Sequence, residues 1–410
     1  MTSVPETESV NKRSPLRRLF TSRSFVALFI SNGLGFGGEQ MRLAAQSWWI
    51  LDEGGSKTQM GLAAGLRIFP IVFISLYAGV MIDRIGGKRV LILERLVLIF
   101  LALVTGVILL FDHVEVWHII LLATLAGSTI AFGEPATETL VPDVVPDELL
   151  QSANSMNQLS HALGRTLGPL LAGILIAIRS AALALFGLAV VYMIAMIATF
   201  GIKAKPKRAT SSESAIRQII DGLSYVRQTP VLFWTVLMAS SAVFFGMIFP
   251  IIPVYAREVL GVGEVKFGWM WGAVAIGQAS AAFMIASRGG FQKKSRGVAA
   301  GAFVFGIGMI GFGLSSNYWL SLAFLFVTGW GFPLWITSVI TLLQSHTADE
   351  YRGRVMAVFT IVMQGVSAAR MLGGVLMDLV GNYPTVLVCV GGGWMIVIVA
   401  FIASKEFRDA

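Results

Sequence analysis

The chain has 410 residues, of which 56% are hydrophobic and 13% charged, and its formal net charge is +8. An average soluble domain has roughly 25% charged residues, so a soluble core could not bury this much apolar surface. The basic residues are scattered between hydrophobic runs instead of lying on one amphipathic face, which argues against nucleic acid as a partner. The single cysteine, Cys389, rules out a disulfide within the chain.

The first segment, residues 1–23, is polar and carries a basic pair at Arg17 and Arg18. A long apolar run follows it, without the short apolar stretch and small-residue cleavage site of a signal peptide. The sequence therefore predicts a disordered cytoplasmic tail.

Long uncharged runs, such as 96–110, 181–200 and 298–314, approach the roughly 20 residues that a helix needs to cross hydrocarbon. Every backbone amide in lipid must be satisfied, and these runs are too continuous for the alternating strands of a barrel. We predict an all-α membrane protein with about twelve transmembrane helices, near residues 24–51, 58–82, 90–111, 116–141, 150–178, 181–202, 230–256, 265–287, 297–315, 318–345, 354–380 and 384–404.

A long polar connection, 203–229, divides the chain into an N-terminal six-helix bundle, 24–202, and a C-terminal one, 230–404, followed by a short cytoplasmic tail, 405–410. The halves echo each other, because Arg165-Thr-Leu-Gly168 in the fifth span is similar to Arg370-Met-Leu-Gly373 in the eleventh. Two pseudo-symmetric bundles around a midplane site are typical of secondary transporters.

With the N-terminus inside, most of the 31 Lys and Arg residues fall on the cytoplasmic side. This asymmetry follows the positive-inside rule, so we expect both termini in the cytoplasm. We expect a multi-pass protein of the inner (plasma) membrane, surrounded by lipid bilayer and acting as a monomer.

Polar residues in the first span recur at spacings of three and four, which places them on one helix face: Asn32, Gly35, Glu39, Arg42 and Gln46. Charges at the membrane centre are costly when they face lipid, so this face should line a hydrated cavity. We interpret Glu39 as a proton carrier paired with Arg42. For Arg42 a purely structural ion pair is an equal alternative.

The fourth span carries Glu134 and Glu138 one turn apart. Glu134 is a second candidate proton carrier, whereas Glu138 lies nearer the cytoplasm and fits a gate. Arg165 in the fifth span is expected near mid-membrane, where it could pair with a carboxylate of the first or fourth span in a proton-dependent switch.

Further polar and aromatic residues within spans are candidates for substrate binding. Arg370 would be the counterpart of Arg165, although a helix-packing arginine is the alternative. Apolar walls with few polar groups suit varied amphipathic ligands. The predicted substrate-binding residues are Asn32, Gln46, His161, Gln278, Trp330, Trp335 and Arg370.

The loop after the second span, Gly79-Val-Met-Ile-Asp-Arg-Ile-Gly-Gly-Lys-Arg89, resembles the signature loop of the major facilitator superfamily, but it has Gly87 where a basic residue is usual. The stretch Gly164-Arg-Thr-Leu-Gly-Pro-Leu-Leu-Ala-Gly173 resembles the superfamily's antiporter motif, with Ala172 replacing a glycine. The resemblance implies the major facilitator fold and gating roles for Gly79, Asp83, Arg84, Gly86, Lys88, Arg89, Gly164, Gly168, Pro169 and Gly173.

Other stretches, including 132–149, 222–230 and 352–356, are similar to the branch that contains enterobactin exporters and macrolide efflux pumps. That resemblance implies export of an amphipathic small molecule by proton antiport. The same fold also supports a nutrient or metabolite facilitator or symporter, which stays open as the alternative.

An intramembrane enzyme would need a nucleophile and base or a metal cluster at membrane depth. The four histidines, His113, His118, His161 and His346, are dispersed, and the chain has no H-E-x-x-H or G-x-S-x-G motif. We therefore expect no enzymatic activity, no cofactor and no bound metal.

Overall fold

The computed structural model describes residues 15–111, 113–203, 215–288, 293–348 and 350–409, and the regular structure in these ranges is helical. The long helical segments are numbered here as spans 1 to 12 in chain order. They are span 1 (Arg23–Asp52), span 2 (Lys57–Gly65 and Ile68–Ile85), span 3 (Gly87–Ile108), span 4 (Val116–Ser128 and Ile130–Val144), span 5 (Leu150–Ile178), span 6 (Ala181–Phe200), span 7 (Pro230–Ala239, Ser241–Met247, Ile251–Val254 and the π-turn Tyr255–Val259), span 8 (Glu264–Arg288), span 9 (Lys294–Leu314), span 10 (Tyr318–Ser345), span 11 (Arg352–Val380) and span 12 (Asn382–Ala403).

Ten of these segments are long and apolar enough to cross a membrane by length and composition. Spans 1 and 8 fall outside that apolar group, although they are 30 and 25 residues long. The all-α fold predicted from the sequence is confirmed.

The polar segments differ in part from the prediction. Helix Pro15–Thr21 occupies the end of the tail predicted as disordered, and Ala215–Gln228 and Lys405–Asp409 form helices in the central connection and the C-terminal tail. The first part of the predicted tail, 1–14, part of the polar connection, 204–214, and residue 410 lie outside the described residues.

Three spans that hydropathy predicts as continuous are broken. Span 2 breaks around Leu66 and Arg67, span 4 breaks at Thr129, and span 7 breaks at Ser240 and again at 248–250. A hydropathy window averages over such breaks, so the sequence did not reveal them. Arg67 lies in the break of span 2 and is buried.

Small residues set the packing of helices within each half. In the N-terminal half, a Cβ built on Gly37 of span 1 would lie 3.2 Å from the Cα of Gly164 in span 5. In the C-terminal half, a Cβ on Gly277 of span 8 would lie 3.1 Å from the Cα of Gly329 in span 10. Small side chains at such crossings let helix backbones approach closely in a membrane.

The halves meet along span 2 with span 11 and along span 5 with span 8. A Cβ on Gly61 would lie 2.9 Å from the carbonyl oxygen of Arg370 and 3.2 Å from the Cα of Gly374. A Cβ on Gly173 would lie 3.3 Å from the Cα of Gly268. These contacts lie toward the end of the molecule that holds loops 53–56 and 260–263, which we call the joined end.

Polar contacts between the halves reinforce the joined end. The Lys57 ammonium lies 2.9 Å from the Glu258 carboxylate and donates to Asn382 Oδ1 at 2.9 Å. The backbone N–H of Thr58 donates to Asp378 Oδ2 at 2.8 Å. Arg257 pairs with Asp52. These pairs are partly exposed, so each contributes modestly to stability.

The loop between spans 2 and 3 explains the unusual Gly87. Gly86 has φ of 87°, a left-handed conformation that favours glycine. A Cβ on Gly87 would lie 2.9 Å from the carbonyl oxygen of Ala136 in span 4, so the start of span 3 packs directly on that helix. Lys88 Nζ donates to the carbonyl oxygens of Phe200 and Ile202 at 2.9 and 2.6 Å, near the C-terminal end of span 6.

Substituting Gly61 with valine should force the joined end apart, because backbone carbonyls of span 11 leave no room for the side chain. Two spin labels, at Glu53→Cys and Ser316→Cys in a Cys389→Ala background, would report the separation of the halves by electron paramagnetic resonance. We expect Gly61→Val to shift the distance distribution to longer values. Gly391→Val is the matched control, since nothing lies within 4 Å of a Cβ there. An unchanged distribution would contradict the close inter-half packing.

Restoring the usual basic residue with Gly87→Arg should destabilise the protein by about 1–3 kcal/mol, the range of overpacking in a tight contact. The control is Gly353→Arg, because a Cβ at Gly353 meets no atom within 4 Å. Thermal unfolding in detergent, followed by loss of monodisperse protein, measures the difference. Equal melting temperatures for the two variants would show that span 3 does not pack on span 4 as described.

Candidate transport site

A buried charged network lies inside the N-terminal half. Arg42 Nη2 and Nε donate to the two carboxylate oxygens of Glu39 at 2.7 and 2.9 Å. The same guanidinium donates to Gln46 Oε1 at 2.7 Å and to the carbonyl oxygen of Ala123 at 3.3 Å. Glu39, Arg42 and Gln46 are all buried, so this geometry keeps two charges satisfied away from water.

Arg67 is a second partner of Glu39. Its Nη1 contacts Glu39 Oε1, and its Nη2 donates to Ser367 Oγ of span 11 at 3.4 Å. Arg67 thus joins the central carboxylate of one half to a hydroxyl of the other half. Arg67 was not among the residues predicted for the site, although a lone arginine inside the apolar run 58–82 was a usable signal.

Another buried ion pair, also overlooked, lies on span 3, where Arg95 Nη1 is 2.9 Å from Glu94 Oε2. Gly35 of span 1 and Gly133 of span 4 make room for it. A Cβ on Gly35 would collide with the Arg95 guanidinium, and one on Gly133 would lie 2.8 Å from Glu94 Oε1. Two adjacent charges in the predicted span 90–111 were the available signal.

The polar face of span 1 therefore packs against other helices of the same half instead of lining a hydrated cavity. The sequence predicted that it lines a hydrated cavity, yet its members bond to other helices of the same half. Asn32 Nδ2 donates to Asn157 Oδ1 at 2.8 Å, and Thr137 Oγ1 donates to Asn32 Oδ1 at 3.1 Å. Small residues on neighbouring spans let these helices close over the polar groups.

Arg165 also departs from the prediction. Within the described residues it makes no ion pair with a carboxylate of span 1 or 4. Its guanidinium instead lies over the rings of Phe36 and Phe332, at 5.3 and 5.4 Å from their centroids. Phe36 also stacks on His161, with ring centroids 4.7 Å apart. Arg165 therefore contacts both halves through aromatic faces, an arrangement typical of cation–π interactions.

Glu134 and Glu138 are exposed on span 4. Glu134 interacts electrostatically with Glu138, Arg67 and Glu39, so it lies on the side of span 4 that faces the charged network. Glu134 therefore stays a candidate for proton exchange between water and Glu39. Glu138 stays a candidate gate residue, one turn further along the same helix.

A cavity of about 280 Å³ lies between the halves, with most of its wall in the C-terminal half. Four residues predicted for the site line it, namely Arg165, Gln278, Trp335 and Arg370. The cavity wall also contains aromatic and polar residues that sequence reasoning missed, namely Phe36, Gln40, Phe245, Phe249, Trp271, Phe305, Thr328 and Phe332. The spacing of these residues in the sequence does not distinguish a position that faces the cavity from one that faces lipid.

Four predicted substrate-binding residues lie outside this cavity wall. Asn32 bonds to Asn157 and Thr137, Gln46 belongs to the buried network, and His161 stacks on Phe36. Trp330 Nε1 donates to Ser280 Oγ at 2.7 Å, which fixes span 10 against span 8. A role for these four would be indirect, through the residues that they position.

The predicted gating residues fall into separate groups. Gly164 and Gly168 pack span 5 against span 1, whereas Gly173 and the carbonyl of Pro169 meet span 8 of the other half. Gly86 has the left-handed conformation given above, Lys88 donates to the end of span 6, and Arg84 and Arg89 are exposed. Gly79 and Asp83 lie on helix Ile68–Ile85 of span 2, and their surroundings fall outside what the structure describes.

Two pseudo-symmetric helical bundles with a cavity between them and buried charges beside it define the class of secondary membrane transporters. The sequence matches the profile of the Major Facilitator Superfamily over residues 28–369, and the chain belongs to that family. The family is one of transporters and not of enzymes.

Curated relatives are similar along most of the chain. The multidrug efflux pump Tap of Mycolicibacterium fortuitum is 24% identical over 389 residues, which cover 92% of each chain. The staphyloferrin A transporter of Staphylococcus aureus is 24% identical over 89% of this chain and 90% of its own. Macrolide efflux protein A of Streptococcus pyogenes is 22% identical over 77% and 80%, respectively.

Solved structures show the same fold. A bacterial homologue of the human lysosomal transporter Spinster, in an inward-facing and occupied conformation, superposes with a TM-score of 0.71 at 13% identity, covering 96% of this chain and 98% of that one. A POT family transporter in complex with 5-aminolevulinic acid gives a TM-score of 0.73 at 12% identity, covering 94% and 97%.

The Glu94–Arg95 pair yields a test of the buried electrostatics. Replacing Arg95 with methionine should destabilise the protein by about 3–5 kcal/mol, since it leaves a buried carboxylate without its partner. The double variant Glu94→Gln/Arg95→Met should recover most of that loss, because no buried charge remains. Thermal unfolding of the two variants and the unmodified protein measures the recovery. A double variant no more stable than the single one would contradict the pairing.

Proposed function

We propose that this protein exports amphipathic small molecules from the cytoplasm by exchange against protons, through alternating access of the central cavity. The names of two curated relatives support export, since both are efflux proteins, and a third relative is named a transporter of staphyloferrin A. The observation that carries the proposal is the Glu39–Arg67–Ser367 connection, which links a buried carboxylate to the contact between the halves.

The cavity supports an amphipathic substrate. Its walls are mainly aromatic and aliphatic, and a few polar groups, including Gln40, Gln278 and Thr328, interrupt them. Such surfaces bind apolar bodies through contact area and orient them through a small number of polar contacts. The volume, about 280 Å³, is close to the lower end of small-molecule sites, roughly 300 Å³.

Glu39 supports the proton part of the proposal. As a carboxylate it accepts hydrogen bonds from Arg42 and contacts Arg67, and protonation would remove the charge that holds both cations. Arg42 keeps other partners, Gln46 and Ala123, whereas Arg67 would keep Ser367 of the opposite half. The protonation state of Glu39 would thus change how firmly the halves are held together.

Alternating access follows from the joined end. With the N-terminus in the cytoplasm, the joined end is the outer one, so the contacts of span 2 with span 11 and of span 5 with span 8 close the outer side. Opening to the outside would separate Gly61 from span 11 and break the Lys57–Glu258 and Asp52–Arg257 pairs. In the empty protein, a deprotonated Glu39 would hold Arg67 against Ser367 and so limit uncoupled switching.

We further propose that the protein works as a monomer in the inner membrane, because both halves of the cavity come from one chain. The nutrient facilitator or symporter is the competing function for the same fold. The direction of transport separates the two, since the competing function moves its substrate inward.

The first experiment identifies a substrate and the direction of transport. A pump-deficient bacterium expressing the protein is challenged with a panel of amphiphiles that includes macrolides. We expect growth protection by one chemical class, and accumulation of that compound inside inverted membrane vesicles when protons are pumped into them. Accumulation in right-side-out vesicles instead would support the importer.

The second experiment tests proton coupling in liposomes that contain the protein and are loaded with the compound against which it protects cells. Its outward gradient should drive proton uptake, and that uptake should fall to the level of empty liposomes in Glu39→Gln. Glu134→Gln should reduce it strongly, because proton exchange with water slows. Glu406→Gln, an exposed carboxylate of the C-terminal helix, is the control and should leave proton uptake unchanged. Retained uptake in both Glu39→Gln and Glu134→Gln would rule out these proton carriers.

A further inference from the structure

Among the described residues, two arginines and no acidic residue line the central cavity. Arg165 comes from span 5 of the N-terminal half and Arg370 from span 11 of the C-terminal half. The two guanidinium groups are near enough to interact electrostatically. The cavity therefore presents two positive charges from opposite halves.

Neither of these cations is neutralised within the described residues. Arg165 lies over Phe36 and Phe332, and Arg370 lies over Phe249 at 4.7 Å from the ring centroid. Aromatic faces hold a guanidinium in place and attract it weakly, but they carry no net charge. Nε and Nη1 of Arg370 are buried and have no hydrogen-bond acceptor there. Buried donors without acceptors are costly, so the guanidinium of Arg370 is incompletely satisfied by the described residues.

The nearby carboxylates do not remove this excess. Glu39 attracts Arg370, but both of its oxygens are already engaged by Arg42 and one also contacts Arg67. Glu134 interacts with Arg67. Among the described residues around the cavity and network, Arg42 and Arg67 pair with Glu39 and Arg95 pairs with Glu94, whereas Arg165 and Arg370 pair with no carboxylate. The field in the cavity favours an anion, more strongly than in water because the surroundings are apolar.

We propose that the exported substrate is an amphipathic organic anion, whose acidic group lies between Arg165 and Arg370 while its apolar body contacts the aromatic wall. This inference rests on the proposed function and specifies its substrate class. Arginine suits this role, because its planar donors match carboxylate, sulfonate or phosphate oxygens in pairs. An anion would also bridge the halves, since each arginine belongs to a different one. An inside-negative membrane potential favours outward movement of such a substrate.

The test uses two fluorescent probes with the same aromatic skeleton, 8-anilinonaphthalene-1-sulfonate, which is anionic, and N-phenyl-1-naphthylamine, which is neutral. Each is titrated into the full-length protein in phosphatidylcholine nanodiscs, with empty nanodiscs subtracted. We expect saturable binding of the anionic probe at least about tenfold tighter than that of the neutral probe, because charge-assisted hydrogen bonds add to the same apolar contact.

Variants assign the binding to the two arginines. Arg370→Gln and Arg165→Gln should each weaken binding of the anionic probe by about tenfold. Binding of the neutral probe should stay unchanged, which also shows that the cavity is intact. Arg370→Lys should recover part of the loss because it keeps the charge. Arg179→Gln, at an exposed position between spans 5 and 6, is the control and should change neither probe. Equal loss of both probes in the Gln variants would overturn the proposal.

Competition separates two sources of the acidic amphiphile. Displacement of the anionic probe by dissolved naphthalene-1-sulfonate supports a dissolved acid, whereas displacement on adding phosphatidylglycerol to the nanodiscs supports an anionic lipid. Stronger displacement by cationic N-(1-naphthyl)ethylenediamine than by naphthalene-1-sulfonate would overturn the proposal.

Failure of the substrate class and failure of export are distinguishable, because binding in nanodiscs needs no gradient. Loss of charge preference with proton-coupled export retained rejects only the anionic substrate. Intact charge preference without export rejects only the transport cycle.

Discussion

The organisation of this protein depends on one carboxylate held between two arginines in the membrane. A charge at the bilayer centre costs about 2.5–3.5 kcal/mol on insertion scales, so Glu39 needs partners that are equally buried. Arg42 supplies one from the same helix, and the break in span 2 brings Arg67 to the other side. Because Arg67 also reaches Ser367, the electrostatic requirement of one half is met by a group that contacts the other.

The two halves differ in their buried groups despite their shared architecture. The N-terminal half contains the buried ion pairs of Glu39 and Glu94, whereas the C-terminal half supplies most of the cavity wall. Glycines make both arrangements possible for different reasons, since Gly35 and Gly133 accommodate charged side chains and Gly277 lets span 8 approach span 10. Proton and substrate would therefore use neighbouring sites, coupled through the contact between halves.

The proposed anionic substrate would explain why two arginines at the cavity have no acidic partner among the described residues. Arg165 and Arg370 lie on aromatic rings, which hold them in position without cancelling their charge. In an apolar cavity such charges interact strongly with a ligand and weakly with distant carboxylates, because the latter are engaged elsewhere. The same arrangement would discriminate against cationic amphiphiles through repulsion and unpaired donors.

The sequence by itself determined that the chain is an all-helical membrane protein, because uncharged runs of about 20 residues have few other uses. It also indicated that Glu39 and Arg42 pair, since both lie on one helix three residues apart. Only the tertiary structure decided that Arg67 joins them, that Arg165 lies on Phe36 and Phe332, and that the polar face of span 1 is buried. Those contacts join residues far apart in the chain, and they depend on helix breaks and close glycine crossings that hydropathy and periodicity do not record.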